Sequence, residues 1–242
     1  MSDRGALGDW DDLLNIGHRG ARALEPENTL RGFTRAYDEG ADGIELDVRR
    51  SRDGVIVVIH DDDLDRVTGG VYTGKVSDYT LEELQRMDVG DGEHVPTLEE
   101  ALELAVDRNG LVNVEIKDSG LARDVVETVN RYGLGSSTLI SSFNYLEVWE
   151  AKRADPSIRT GLLVHGANPL SIYSALLAGA DTINPGYEFL NDAFVNAAHE
   201  AGLKVYSYTV NEEPDMQRLV DIGVDGIITD RPDLLYDVLH GW

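Results

Sequence analysis

The chain has 242 residues, 42% of them hydrophobic, which is ample for a core and, by length alone, suits one barrel-sized domain or two small ones. Its 45 acidic against 21 basic residues give a formal net charge of -24, with only four lysines (Lys75, Lys117, Lys152, Lys204), so binding to nucleic acid or anionic membranes is excluded as a main activity. With no cysteine, neither disulfides, thiol catalysis nor thiolate metal sites are available. The acidic excess is scattered along the chain and forms no tail, a pattern suited to a salt-rich cytosol in which charge repulsion is screened. Met1 to Leu14 lacks an apolar core of signal-peptide length and no later run spans a bilayer, so a cytoplasmic protein without a membrane anchor is expected.

In chain order, Leu13 to Ala21 reads as a short buried strand ending in a glycine-flanked turn. Asn28-Thr29 then caps a helix in which Leu30, Phe33, Ala36 and Tyr37 recur at helical spacing, closed by Gly40. A strand at 43–50 follows, in which Glu45 and Asp47 share one face while Ile44, Leu46 and Val48 take the other. Asp53-Gly54 signals a hairpin to a second β run at 55–60. A two-residue turn would set Asp47 opposite His60, and a four-residue turn would set Glu45 there; either register gathers two carboxylates and an imidazole. From Asp61 to Val95 the sequence is polar and turn-rich, with one short capped helix at Thr80, and is expected to be an insertion or a functional lid.

Beyond it the alternation is regular. A capping box at Thr97 opens a helix, and strands near 111–117, 137–142, 159–164, 181–185, 204–210 and 226–229 are each followed by a helix. The count exceeds an eightfold barrel by one. Too few residues separate Val48 from Val55 for a parallel crossover, so 55–60 is expected as the antiparallel arm of a hairpin. The remaining eight strands predict an α/β fold, a (β/α)8 TIM barrel spanning 1–242 as a single domain, with a β-hairpin and small insertion over about 55–95 and the insertion proper at 61–95. Chemistry in such a barrel gathers at the C-terminal strand ends, where His18, Glu45, Asp47, Glu115, Lys117 and Asn211 fall.

Glu45, Asp47 and Glu115 are three carboxylates at inward-facing positions. Crowded carboxylates repel and take up protons, and a divalent cation removes the conflict; oxygen-only ligands suit Mg²⁺, Ca²⁺ or Mn²⁺. The plainer reading pairs each acid with Arg19 or Lys117 and needs no metal. His18 and His60 are candidates for a general acid and base. Arg19 and Lys117 could instead hold a phosphate. His94, His165, His199 and His240 lack such neighbours, and most of the Asp61–Asp65 run reads as solvated or capping acid.

His18-Arg19-Gly20-Ala21 with Pro26-Glu27-Asn28-Thr29, then Glu45-Leu46-Asp47, His60-Asp61, Leu64-Asp65-Arg66-Val67-Thr68 and Val114-Glu115-Ile116-Lys117, resembles the ordered signature of the glycerophosphodiester phosphodiesterase family. Ser142-Phe143, Thr209-Val210-Asn211 and Gly226 to Pro232 are similar too. The resemblance implies a (β/α)8 barrel that hydrolyses small glycerophosphodiesters to glycerol phosphate and an alcohol. It implies His18 and His60 as the acid/base pair, Glu45, Asp47 and Glu115 as ligands of Mg²⁺ or Ca²⁺, and Arg19 and Lys117 as phosphate partners. Where relatives often have Trp before Thr-Val-Asn this chain has Tyr208, which keeps an aromatic wall against the glycerol and adds a hydroxyl. A lysophospholipase D-like or phosphoinositide-cleaving activity, and a non-catalytic phosphate-binding barrel, are the alternatives. A sugar-phosphate isomerase would need a glycine-rich phosphate loop after the seventh strand, where only Asn211-Glu212-Glu213 stands.

Overall fold

The computed structural model describes residue 10 and residues 12–241. Most of the N-terminal stretch on which the absence of an apolar leader was read lies outside the described residues. The strands are β1 (Leu14–Gly17), β2 (Gly43–Arg50), β3 (Ile56–Val58), β4 (Leu111–Ile116), β5 (Thr138–Ser142), β6 (Arg159–Val164), β7 (Thr182–Pro185), β8 (Lys204–Ser207) and β9 (Gly226–Thr229). All but β3 pair in parallel, and β1 bonds both β2 and β9, so the eight close into a barrel. The helices are α1 (Leu30–Asp38), α2 (Leu81–Leu84), α3 (Leu98–Arg108), α4 (Ala122–Arg131), α5 (Tyr145–Ala154), α6 (Pro169–Ala178), α7 (Asp192–Glu200), α8 (Glu213–Asp221) and α9 (Pro232–His240). The expected TIM barrel is borne out.

Alternation along each strand builds two apolar layers. Inward side chains Leu14, Ile16, Leu111, Leu139, Tyr206 and Ile228 fill the N-terminal end of the barrel, where Trp10 stacks on Tyr206 with ring centroids 6.2 Å apart. Outward side chains, including Ile44, Leu46, Val48, Val112 and Val114, pack under α1, α3 and α4. The second layer continues under the later helices through Ile183, Val205, Ile227, Phe194 and Leu219. Burying a side chain of this size contributes about 1.5–3 kcal/mol, so dozens of such positions oppose the entropy of ordering the chain.

Strand β3 is antiparallel to β2, but neither expected register occurs. Val48 pairs with Val58 and Arg50 with Ile56, which leaves Arg52, Asp53 and Gly54 as a three-residue turn. Gly54, at φ +88°, supplies the left-handed residue that such a turn needs. Asp47 therefore lies opposite Ile59, whose N–H donates to the Asp47 carbonyl at 2.9 Å, and His60 falls one position beyond. Residues 61–95 carry a small core of their own, in which Leu64, Val76, Leu84, Met87 and Val89 pack on Val57 and Ile59. That core anchors the segment bearing His60 to the barrel rim.

Candidate active site

The inward-facing series that fills the barrel at its N-terminal end turns polar toward the other. Leu111 and Asn113 lead to Glu115 and Lys117; Leu139 and Ser141 lead to Phe143; Tyr206 leads to Tyr208; Ile228 leads to Asp230; and Ile16 leads to His18. Period-2 alternation thus delivers the functional groups from separate strands to one mouth.

Glu45, Asp47 and Glu115 are all buried and each offers an oxygen within 4.8 Å of the others. Asp47 and Glu115 stand side by side on β2 and β4. Around them are two cations: Arg19 Nε lies 3.2 Å from Asp47 Oδ2, and Lys117 Nζ lies 3.1 Å from Asp47 Oδ1 and closer still to Glu115 Oε1. Asn28 fixes Asp47 by donating to Oδ2 at 2.8 Å, and the Arg19 N–H donates to Glu45 Oε2 at 2.9 Å. Arg19 is left-handed at φ +52°, and Gly20, at φ +86°, follows it against the backbone of α1, where a Cβ would come 2.6 Å from the Gly32 carbonyl carbon.

Ion pairing leaves this cluster incomplete. Three carboxylates face two cations, and the buried Oε1 of Glu45 accepts no hydrogen bond. Burial, then the charges of Asp47 and Glu115, pushes Glu45 well above the usual carboxylate range. Burial and Asp47 likewise raise Glu115 to about 7. Asp47 is held low: burial acts to raise it, but Lys117, Arg19 and His60 outweigh that effect. An oxygen-only donor set with one unsatisfied carboxylate oxygen fits a hard divalent cation.

Both histidines that the sequence singled out stand at this mouth, each held by a carboxylate. His18 Nδ1 is 2.6 Å from Asp230 Oδ1, and Asp230 also accepts from Asn211 Nδ2 at 2.8 Å. Asp230 stays below its ordinary range; burial opposes this, and the hydrogen bond and charge of His18 prevail. His60 Nδ1 is 2.6 Å from Asp61 Oδ1, and Arg49 Nε donates to the His60 carbonyl at 2.8 Å. An ionised carboxylate at Nδ1 fixes the proton there and leaves Nε2 for a reacting atom. Burial, ahead of the opposing charge of Asp47, lowers the His60 pKa.

A chain of ion pairs joins the two sides. Asp61 accepts from Arg66 Nε at 2.6 Å; Arg66 forks onto Glu27 at 2.7 and 2.8 Å; Glu27 accepts from Arg19 at 2.9 Å and from Arg22 Nε at 3.0 Å; and Arg22 Nη1 lies 3.7 Å from Asp230. Across the mouth, His165 stacks on Phe143 with centroids 4.6 Å apart, and Tyr208 meets Phe143 edge-on at 6.0 Å. The Tyr208 hydroxyl donates to the Val164 carbonyl at 3.1 Å, so it anchors the ring to β6.

A family model described as the Glycerophosphoryl diester phosphodiesterase family matches residues 18–234. The chain belongs to that family. Over 239 residues it is 38% identical to a glycerophosphodiester phosphodiesterase of Caldanaerobacter subterraneus subsp. tengcongensis, covering 94% of this chain and 98% of that one. Among solved structures, a glycerophosphodiester phosphodiesterase from Agrobacterium tumefaciens superposes with a TM-score of 0.80 at 31% identity, covering 91% of this chain and 97% of the other. An Oleispira antarctica phosphodiesterase, solved in complex with the product sn-glycerol-3-phosphate, superposes with a TM-score of 0.84 at 29% identity, covering 93% and 95%. As a member of this glycerophosphodiester phosphodiesterase family, the chain is an enzyme, a phosphoric diester hydrolase.

Sequence reasoning passed over Asp230, Asp61 and Glu27 as site residues, and it left Phe143 and His165 without a role. Asp230 was findable, because it continues the inward series of β9. Asp61 directly follows His60. No helix among the described residues is long and apolar enough to cross a membrane.

Proposed function

We propose that this barrel mouth cleaves small glycerophosphodiesters to glycerol phosphate and an alcohol, with His18 and His60 as acid/base pair and Mg²⁺ or Ca²⁺ held by Glu45, Asp47 and Glu115. The observation that carries the reading is the pair of imidazoles, each with Nδ1 2.6 Å from a carboxylate, at the mouth that also buries the acid trio. With Nδ1 committed, one Nε2 takes the proton of the attacking hydroxyl, from water or from the substrate's own glycerol, and the other returns a proton to the departing alcohol oxygen. Polarisation of a phosphoryl oxygen and neutralisation of transition-state charge are the contributions of the bound cation. Arg19 and Lys117 stand beside the trio to receive the remaining phosphate oxygens, Lys117 with its Nζ 6.0 Å from the centre of the Phe143 ring. Tyr208 and Phe143 wall the glycerol. Residues 61–95 shape the leaving-group side, and the barrel acts as a single domain on a small-molecule substrate in the cytoplasm, without nucleic acid.

The test is release of glycerol phosphate from glycerophosphocholine by the purified protein, in chelator and after return of Mg²⁺ or Ca²⁺. Activity should vanish in chelator and return with metal; full activity in chelator removes the cation from the reaction. Replacing His18 or His60 by Ala should slow turnover by on the order of 10²-fold or more. A wild-type rate would exclude that ring as acid or base.

A further inference from the structure

The face of α6 turned away from the barrel does not match the rest of this surface. Ser171, Ala175 and Ala178 pack inward, and the opposite arc, where an acid-rich chain would carry charge, presents Leu170, Tyr173, Leu176 and Leu177 at 75, 59, 46 and 61% exposure. Tyr145 and Leu146 at the start of α5 extend the patch at 54 and 48%. Phe143, Tyr145 and Leu177, with Leu162 and Leu163 as floor, line a groove of about 410 Å³ between the two helices. From Gly166 to Ala180 no residue is charged, in a chain that is 27% charged overall.

We infer that this α5–α6 face is the contact surface of a symmetric dimer of this chain. Two observations select a second copy as the occupant. First, the area: the six large apolar side chains outside the mouth present on the order of 600 Å², at the top of the range usual for the largest patch on a monomer and approaching the ~800 Å² that each partner buries in a stable complex. Second, the charge: at -24 the molecule repels an anionic bilayer, and the run from Gly166 to Ala180 has no basic residue with which a membrane-seated face compensates. A self-complementary contact between two such molecules must be built where charge is absent, and the charge-free α6 supplies that region. Repulsion between the two acidic bodies is long-ranged and screened by salt, while apolar contact is not weakened by it. Dimerisation therefore strengthens as ionic strength rises.

Sedimentation velocity on the full chain at micromolar concentration, in 0.1 M and in 3 M KCl, tests this. A dimer of twice 26.6 kDa is expected in high salt, with a dissociation constant at least about 10-fold tighter than in low salt. Leu170→Glu with Tyr173→Glu should stay monomeric in both while retaining the wild-type circular dichroism spectrum and hydrolytic rate, since neither residue lines the groove that Phe143 shares. Should that pair fail to fold, single cysteines in this cysteine-free chain decide: a short bis-maleimide should join Tyr173→Cys chains and leave Glu103→Cys chains, on α3, unjoined. A wild-type monomer in both salts, an undiminished dimer of the Glu variant, cross-linking at 103 in place of 173, or co-flotation with neutral phosphatidylcholine vesicles in place of self-association would each overturn the inference.

Discussion

Replacing Glu27 by Gln tests whether the ion-pair chain between the two histidines stabilises the mouth. Glu27 is only 12% exposed and accepts from three arginines, two of them through single bonds and Arg66 through a fork. Burial would raise its pKa, but Arg66 and Arg19 overcome this and hold it at about 2, against an ordinary 4.5. That displacement corresponds to about 3 kcal/mol if transmitted in full. Arg22 and Arg66 are 38 and 47% exposed, so solvent screening reduces it to about 1–2 kcal/mol. The sign follows from the direction: a carboxylate with a depressed folded pKa stabilises the fold above its unfolded value, and the contribution fades as pH falls from about 4.5 toward 2. Glu27→Gln should therefore melt about 2–8 °C below wild type at pH 7 by differential scanning calorimetry. The gap should close progressively below pH 4.5. Turnover should fall about 10-fold as Asp61 and Asp230 lose their fixed arginines, with KM less affected. Equal melting at pH 7, or a gap unchanged at pH 3, would refute the reasoning.

Asp230→Asn replaces the acceptor-only carboxylate that holds the proton on His18 Nδ1 by an amide that can donate to Nδ1 instead, so kcat should drop on the order of 10²-fold, with KM and the melting temperature nearly constant; steady-state kinetics and a thermal melt decide. Glu45→Gln removes a buried carboxyl crowded by Asp47 and Glu115, so the metal-stripped protein should melt higher than wild type, while the gain in melting temperature on adding Mg²⁺ or Ca²⁺ should disappear. Tyr208→Phe should cost about 0.5–1 kcal/mol of stability by removing one of the two donors to the Val164 carbonyl, which keeps the Gly186 N–H, and should change turnover by less than about threefold, because that hydroxyl is spent on β6; denaturant unfolding and substrate titration read the two effects.

The barrel was legible because its strands are short runs of apolar, β-forming residues separated by capped helices, and because the few residues between Val48 and Val55 forbid a parallel crossover. The acid trio and His18 were legible for the same reason: strand alternation fixes which side chains point inward; His60 was reached through the family signature and through a hairpin register that does not occur. What failed was the hairpin register. Asp53-Gly54 signals a turn equally well whether two or three residues form it, and one residue moves His60 from opposite Asp47 to the next position. Asp61 looked like part of a solvated acidic run, since nothing local shows that Arg66 turns back on it from the insertion. Glu27 was quoted only as part of a motif, because its partner Arg66 lies 39 positions away and meets it only once residues 61–95 have folded onto the rim. The α6 face was missed for a different reason: an apolar helix reads as buried, and only its docking through small residues shows that the large ones are left outside.

The charge balance at the mouth ties the site to the rest of the molecule. Within the connected network, Glu27, Glu45, Asp47, Asp61, Glu115 and Asp230 face four cations, Arg19, Arg22, Arg66 and Lys117. With every carboxylate ionised and both histidines neutral, the network carries two negative charges, inside a molecule that is itself strongly negative. An anionic diester entering that field gains little from Arg19 or Lys117, because each is already spent on a carboxylate. Glu45, Asp47 and Glu115 would hold a divalent cation whose two charges would bring the network to neutrality, leaving Arg19 and Lys117 less committed to Asp47 and Glu115 and able to share a phosphate oxygen. On the proposed reading, the acid cluster thus has two tasks: it holds the cation, and it keeps the phosphate-binding side chains occupied until the cation is there.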